Sequence, residues 1–152
     1  MIRSIYIDTS VFGGYYDPEF DTDTQKLFDK ILKEKIKVFV SETVISELKG
    51  APDNVNGFFK LLPNDIVIQL DNTDEAKTLA RKYVEANVIS EKYLTDCMHI
   101  AYATIYNADI LVSWNFKHIV HIERRRGYNG VNIQNGYKTI DIVSPKEILN
   151  YE

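Results

Sequence analysis

The chain has 152 residues, a net charge of −4, and 26% charged and 45% hydrophobic side chains. That length suits one domain burying roughly 70% of its unfolded surface, so the core requires no disulfide or metal staple. Seven Gly and four Pro exclude collagen-like and low-complexity readings, and the longest apolar run, Ile100 to Ala103, is far short of the ~20 residues that span a bilayer. No secretory signal is visible at the N-terminus, so the expectation is a single soluble domain over 1–152 in the cytoplasm. The acidic balance argues against nonspecific coating of nucleic acid. It leaves room for chemistry on nucleic acid at one local site.

In chain order, Ile5-Tyr6-Ile7 forms a first strand that stops at Asp8-Thr9-Ser10. Apolar residues at helical spacing from Phe20 to Lys35 predict a helix. Val38-Phe39-Val40 is a second strand, and Ser41 caps a helix from Glu42 to Lys49, closed by Gly50-Ala51-Pro52. Ile66-Val67-Ile68 is a third strand, and Asp74 to Glu85 is a helix with Ala76, Leu79, Ala80, Tyr83 and Val84 on one face. Ser90 can cap a further helix reaching about Asn107. Ile110-Leu111-Val112 is the fourth strand, and Thr139 to Val143 the fifth. The segment from Arg124 through Gly136, rich in Gly and Asn, reads as a long flexible loop. Ser144-Pro145-Lys146-Glu147 is a capping box opening a last short helix.

Short strands that are apolar on both faces and alternate with helices indicate a central, mainly parallel sheet. The expected fold class is α/β, a three-layer α/β/α sandwich. In such sheets ligands sit beyond the carboxyl ends of the strands, and four residues fall there. Asp8 ends the first strand, Glu47 lies on the helix after the second, Asp96 lies in the first turns of the helix before the fourth, and Asn115 just follows the fourth. Taken singly, Asp8 also reads as a turn residue and Glu47 as a surface glutamate. Asp96 is the more informative one, because the helix around it is apolar nearly all round and a buried carboxylate needs a cation or donors. Carboxylates gathered at one sheet edge coexist at neutral pH with shifted pKa values or a hard cation. Oxygen donors with no Cys or His cluster favour Mg²⁺ or Mn²⁺ over Zn²⁺. Such an ion can supply a nucleophilic water and clamp a phosphate, which is the chemistry of phosphodiester cleavage.

The runs Asp8-Thr9-Ser10-Val11-Phe12, Ser41 to Gly50, Asp96 to Ala103 and Asp109 to His118 resemble, in order, the PIN-domain family. Within it they resemble the VapC-type toxin nucleases of prokaryotic toxin–antitoxin pairs. That resemblance implies an α/β/α fold, Mg²⁺- or Mn²⁺-dependent endoribonuclease activity, an RNA substrate, an antitoxin partner and homodimerisation. It places Asp8, Glu47 and Asp96 as the metal-binding acids of the catalytic set, with Thr9 and Ser10 as supporting hydroxyls. Asn115 stands where many members carry a further aspartate, which puts a strict two-metal mechanism in question. The alternative is a catalytically weak PIN-like module that works by binding protein. A haloacid-dehalogenase-type phosphatase is disfavoured, because Ser10 occupies the position where a second aspartate is needed.

Outside that set, Cys97 reads as a small buried hydrophobe, His99 as a hydrogen-bonded core residue, and His118 and His121 as surface residues. Trp114 fills space beside the sheet end. Arg124, Arg125 and Arg126 form the densest basic run and are candidate contacts for RNA phosphates.

Overall fold

A computed structural model describes residues 1–150. Its strands are β1 (Ser4–Ile7), β2 (Lys37–Ser41), β3 (Val67–Leu70), β4 (Ile110–Val112) and β5 (Asp141–Val143). They form one sheet in the order β3-β2-β1-β4-β5, and every pairing is parallel. Ile5, Tyr6 and Ile7 have no exposed surface, and β4 is buried along its length. Both sheet faces are therefore covered, as the apolar runs require.

The helices are α1 (Thr9–Gly14), α2 (Asp21–Glu34), α3 (Glu42–Lys49), α4 (Asp53–Leu61), α5 (Asp74–Glu85), α6 (Leu94–Ile105), α7 (Ile122–Gln134) and α8 (Pro145–Ile148). α5 packs on α6 and α7, while α2 packs on α1 and α8. α3 touches α1, α4 and α6 at the end of the sheet. The domain is a helix–sheet–helix sandwich, as expected. No described helix is long and apolar enough to cross a membrane.

Several local signals act as written in the sequence. Ser41 accepts from the Val44 N–H at the start of α3, and Ser144 with Glu147 forms a complete capping box on α8. Two helices escape the periodicity argument. α1 starts immediately after Asp8 and is only six residues long, and α4 begins right after Pro52. The helix expected from Ser90 opens as a 3₁₀ turn over Glu91–Tyr93 and becomes α6 at Leu94.

The segment expected to be a flexible loop is corrected to a helix: Arg124 through Gln134 belongs to α7. Its composition misleads because Gly127, Asn129 and Asn132 face inward to specific partners. Asn132, fully buried, accepts from the Tyr83 hydroxyl and donates to Thr104 Oγ1. Asn129 donates to the Ile140 carbonyl and accepts from the Ile140 N–H. At Gly127 a Cβ would lie 2.7 Å from Val88 Cγ1, so only Gly lets the helix come this close. Polar residues with defined partners replace the apolar stripe that marks an amphipathic helix.

Candidate active site

The chain runs outward from β1 to β2 and β3 on one side, then returns to β4 and β5 on the other. The order reverses between β1 and β4, and in a parallel sheet that switch point opens a crevice at the carboxyl ends of the strands. Asp8 follows β1 there and Ser113 follows β4. Ser113 Oγ donates to Asp8 Oδ2 at 2.6 Å across the switch point, and Ser10 Oγ donates to Asp8 Oδ1 at 2.6 Å. Asp8 is 4% exposed. Each of its oxygens is thus held by a neutral hydroxyl, and no Lys or Arg neutralises it among the described residues.

Glu47 projects from the last turn of α3. Its Oε1 accepts from Thr9 Oγ1 at 2.9 Å and lies 3.2 Å from His99 Nε2. His99 is 2% exposed on α6, and its Nδ1 lies 2.7 Å from the Tyr6 hydroxyl, itself 2.7 Å from Ser41 Oγ. Asp96 stands one turn before His99 in the first turn of α6, and its carboxylate makes no hydrogen bond among the described residues. Asn115 turns its side chain to local use, with Oδ1 accepting from the His118 N–H at 3.0 Å.

The electrostatics follow from this crowding. Burial pushes the Asp8 carboxyl up, and the hydroxyls of Ser10 and Ser113 together with His99 offset it only in part. Burial also raises Asp96, opposed by His99 and His118 and reinforced by repulsion from Asp8 and Glu47. Burial acts in the same direction on Glu47, but the hydrogen bond and charge of His99, with Thr9, outweigh it and hold this carboxyl below its ordinary range. For His99 burial favours the neutral ring. The bond to Glu47 and the fields of Asp8, Glu47 and Asp96 prevail and raise it. The three acids therefore feel one another's charge, and His99 stands among them.

The set expected from sequence thus gathers at one end of the sheet, with Thr9 and Ser10 gripping Glu47 and Asp8. It does not form a ready-made cage, because no three Asp, Glu, His or Cys side chains among the described residues are close enough together to hold an ion. Its donor chemistry nonetheless fits a hard divalent cation. Two carboxyls are raised by burial, no basic side chain pairs with Asp8 or Asp96, and every carboxylate donor is oxygen.

The arginine run divides. Arg124 donates to the carbonyls of Val88 and Lys117, and Arg125 donates to the Ile142 carbonyl and to Glu147. Both clamp α7 to its neighbours, and Arg126 alone is exposed without a side-chain bond among the described residues. His118, expected at the surface, is half-buried. It stacks on Tyr93 with centroids 3.8 Å apart, and its Nδ1 is buried without a partner among the described residues. Trp114 packs as expected, stacked on Phe20 and donating to Thr24 Oγ1. Cys97 is buried, with its thiol pushed up to about 12 by burial and then by Asp96, so it is inert.

His99 is a hydrogen-bonded core residue as expected, and its contact with Glu47 is the feature the sequence did not show. The signal available was its position three residues after Asp96, which puts both side chains on one face of α6.

No curated protein sequence matches the chain. Among solved structures, the fold is similar to the crystal structure of VapBC2 from Rickettsia felis bound to a DNA fragment from their promoter. The TM-score is 0.58 at 12% identity, over 93% of this chain and 98% of that one. The family model described as PIN domain matches residues 5–118, a stretch that runs from β1 past Asp8, Glu47 and Asp96 to the turn after β4. The chain belongs to the PIN-domain family.

Proposed function

We propose that the protein is a divalent-metal-dependent endoribonuclease, a cytoplasmic VapC-type toxin restrained by an antitoxin and working as a homodimer. The observation that carries this reading is the grouping of Asp8, Glu47 and Asp96 from three elements at the switch point, with neither Lys nor Arg among the described residues to neutralise them. PIN-family membership supports nuclease chemistry, and the fold likeness to VapBC2 agrees with the VapC-type resemblance of the motifs.

Asp8, Glu47 and Asp96 would hold Mg²⁺ or Mn²⁺. When bound, the ion supplies charge neutralisation at the phosphate and a water of lowered pKa. The chain's own residues set the stage. Ser10 and Ser113 fix both oxygens of Asp8, and Thr9 and His99 fix Glu47. Asn115, with its carbonyl engaged by the turn at His118, adds no charge, so the pocket suits one tightly held ion, with a second joining only alongside RNA.

The test is cleavage of RNA by the purified protein with Mn²⁺, with Mg²⁺ and with EDTA. Cleavage should require the ion, and Asp96→Asn should abolish it while leaving the circular dichroism spectrum unchanged. Metal-independent cleavage, or full activity in Asp96→Asn, would overturn the proposal. The second reading, a binding module of weak activity, draws on Asn115 and on the absence of a ready-made cage among the described residues. It predicts no metal-stimulated cleavage beside tight capture of a partner protein.

A further inference from the structure

We propose that Tyr6 and His99 are positioning residues of this site: a buried hydrogen-bond chain running from the cap of α3 through Tyr6 and His99 holds the Glu47 carboxylate in the orientation from which it meets the cation. The proposal rests on the reading of Asp8, Glu47 and Asp96 as cation ligands.

The geometry closes a ring. Ser41 caps α3, and Glu47 sits near the other end of the same helix. Between them, Ser41 Oγ contacts the Tyr6 hydroxyl at 2.7 Å, which contacts His99 Nδ1 at 2.7 Å, and His99 Nε2 reaches Glu47 Oε1 at 3.2 Å. β1 and α6 thereby fix both ends of a helix only two turns long.

The protons can be assigned by elimination. An ionised carboxylate only accepts, so Nε2–H donates to Glu47. On a neutral ring Nδ1 then accepts from the Tyr6 hydroxyl, whose oxygen accepts from Ser41, and Ser41 accepts in turn from the Val44 N–H at 3.2 Å. With the ring charged, Tyr6 and Ser41 reverse direction and Nε2–H still donates to Glu47. Nε2–H is therefore the donor to Glu47 in both states, so the direction of the bond does not depend on the ring's charge, although a charged ring strengthens it.

The energetics also point to a purpose. Tyr6 and His99 occupy core positions with no more than 2% exposure, where Phe and Leu would pack without polar groups to satisfy. Burying a hydroxyl and an imidazole there is costly unless all their bonds are made, and here they are. The one bond that leaves the core ends on Glu47. Partners that orient a metal ligand in this way typically contribute 10- to 100-fold in metal affinity.

The experiment measures Mn²⁺ binding to the metal-free protein by titration calorimetry, alongside RNA cleavage as a function of Mn²⁺ concentration. Tyr6→Phe removes one oxygen and almost no volume, so it should fold. It should weaken Mn²⁺ binding on the order of 10-fold. It should raise the Mn²⁺ concentration for half-maximal cleavage by a similar factor and leave the rate at saturating Mn²⁺ nearly unchanged. His99→Leu should weaken binding further, and His99→Gln, whose amide can still donate to Glu47, should recover part of it. Should His99→Leu fail to fold, Tyr6→Phe and His99→Gln decide.

Wild-type affinity in a folded Tyr6→Phe overturns the proposal. So does a fall in the saturated rate with affinity unchanged, because that would place the pair in the chemistry itself. A wild type that binds no Mn²⁺ overturns the cation reading and this proposal together. A wild type that binds, with Asp96→Asn that does not and Tyr6→Phe that binds equally well, overturns only the chain of hydrogen bonds.

Discussion

At the scale of single residues, Asp8 shows how a site can be built against stability. It is buried, held by two hydroxyls, and its carboxyl is raised by desolvation. The folded protein keeps this proton to a higher pH than the unfolded chain does. Between the ordinary carboxylate pKa and the raised one the folded state therefore binds more protons, and stability falls as pH rises through that window. Asp8→Asn removes this contribution and keeps the shape. In metal-free protein the variant should melt higher than wild type near neutral pH, and the gap should shrink as pH falls through the raised pKa and close below about 4, where the unfolded chain's Asp8 is protonated as well. Thermal melts across pH check this. A gap independent of pH would mean that the Asp8 carboxyl has the same pKa in the folded and unfolded states.

At the scale of elements, the arginine run on α7 divides into two residues that hold the helix in place and one that is exposed. Arg124 and Arg125 spend their guanidinium donors on main-chain carbonyls and Glu147, whereas Arg126 is exposed. Arg124→Ala leaves the Val88 carbonyl without its donor and should cost about 1–3 kcal/mol of stability in urea melts. Arg126→Ala should leave stability unchanged, weaken RNA binding, and reduce the salt dependence of that binding by about one unit of slope. Equal stability losses at both positions, or an unchanged salt slope for Arg126→Ala, would remove the distinction.

The same helix marks where the sequence stops being readable. The strands and the longer helices were legible because apolar periodicity reports burial directly, as in Ile5-Tyr6-Ile7 and Ala76 to Val84. α7 was not, because Asn129 and Asn132 bury through hydrogen bonds to partners at Ile140, Tyr83 and Thr104 that only the fold brings near. α1 was hidden for a different reason, since six residues give too little periodicity to register. In the site, the places of the acids, Asp8 after β1, Glu47 on the helix after β2 and Asp96 on the helix before β4, were legible from the order of elements along the chain. The hold of His99 on Glu47 was not, because it joins residues 52 positions apart in sequence.

At the scale of the whole molecule, the site sits where the sheet order reverses, so its charges load the centre of the fold. Asp8 hangs from β1, Glu47 from α3 and Asp96 from α6, and the charges of Asp8 and Glu47 add to burial in raising the Asp96 carboxyl. A divalent ion bound only by the folded state should relieve that repulsion. It should also stabilise by mass action, about 2.7 kcal/mol at a hundredfold excess over Kd. Asn115 offers a way to vary the load without disturbing the core. It is half-buried just beyond β4, and its side-chain oxygen caps the turn at His118, a bond that an aspartate can also make. Asn115→Asp adds a fourth negative charge to the switch point. In metal-free protein it should lower the melting temperature through like-charge repulsion. With saturating Mn²⁺ the added charge becomes a further ligand or counter-charge, so the deficit should vanish or reverse, and a second ion should bind more tightly than in wild type. Paired melts with EDTA and with Mn²⁺, together with calorimetric stoichiometry, read both effects. An equal loss of stability in the two conditions would show that Asn115 lies outside the field of the cation and that Asp8, Glu47 and Asp96 alone set the charge of the pocket.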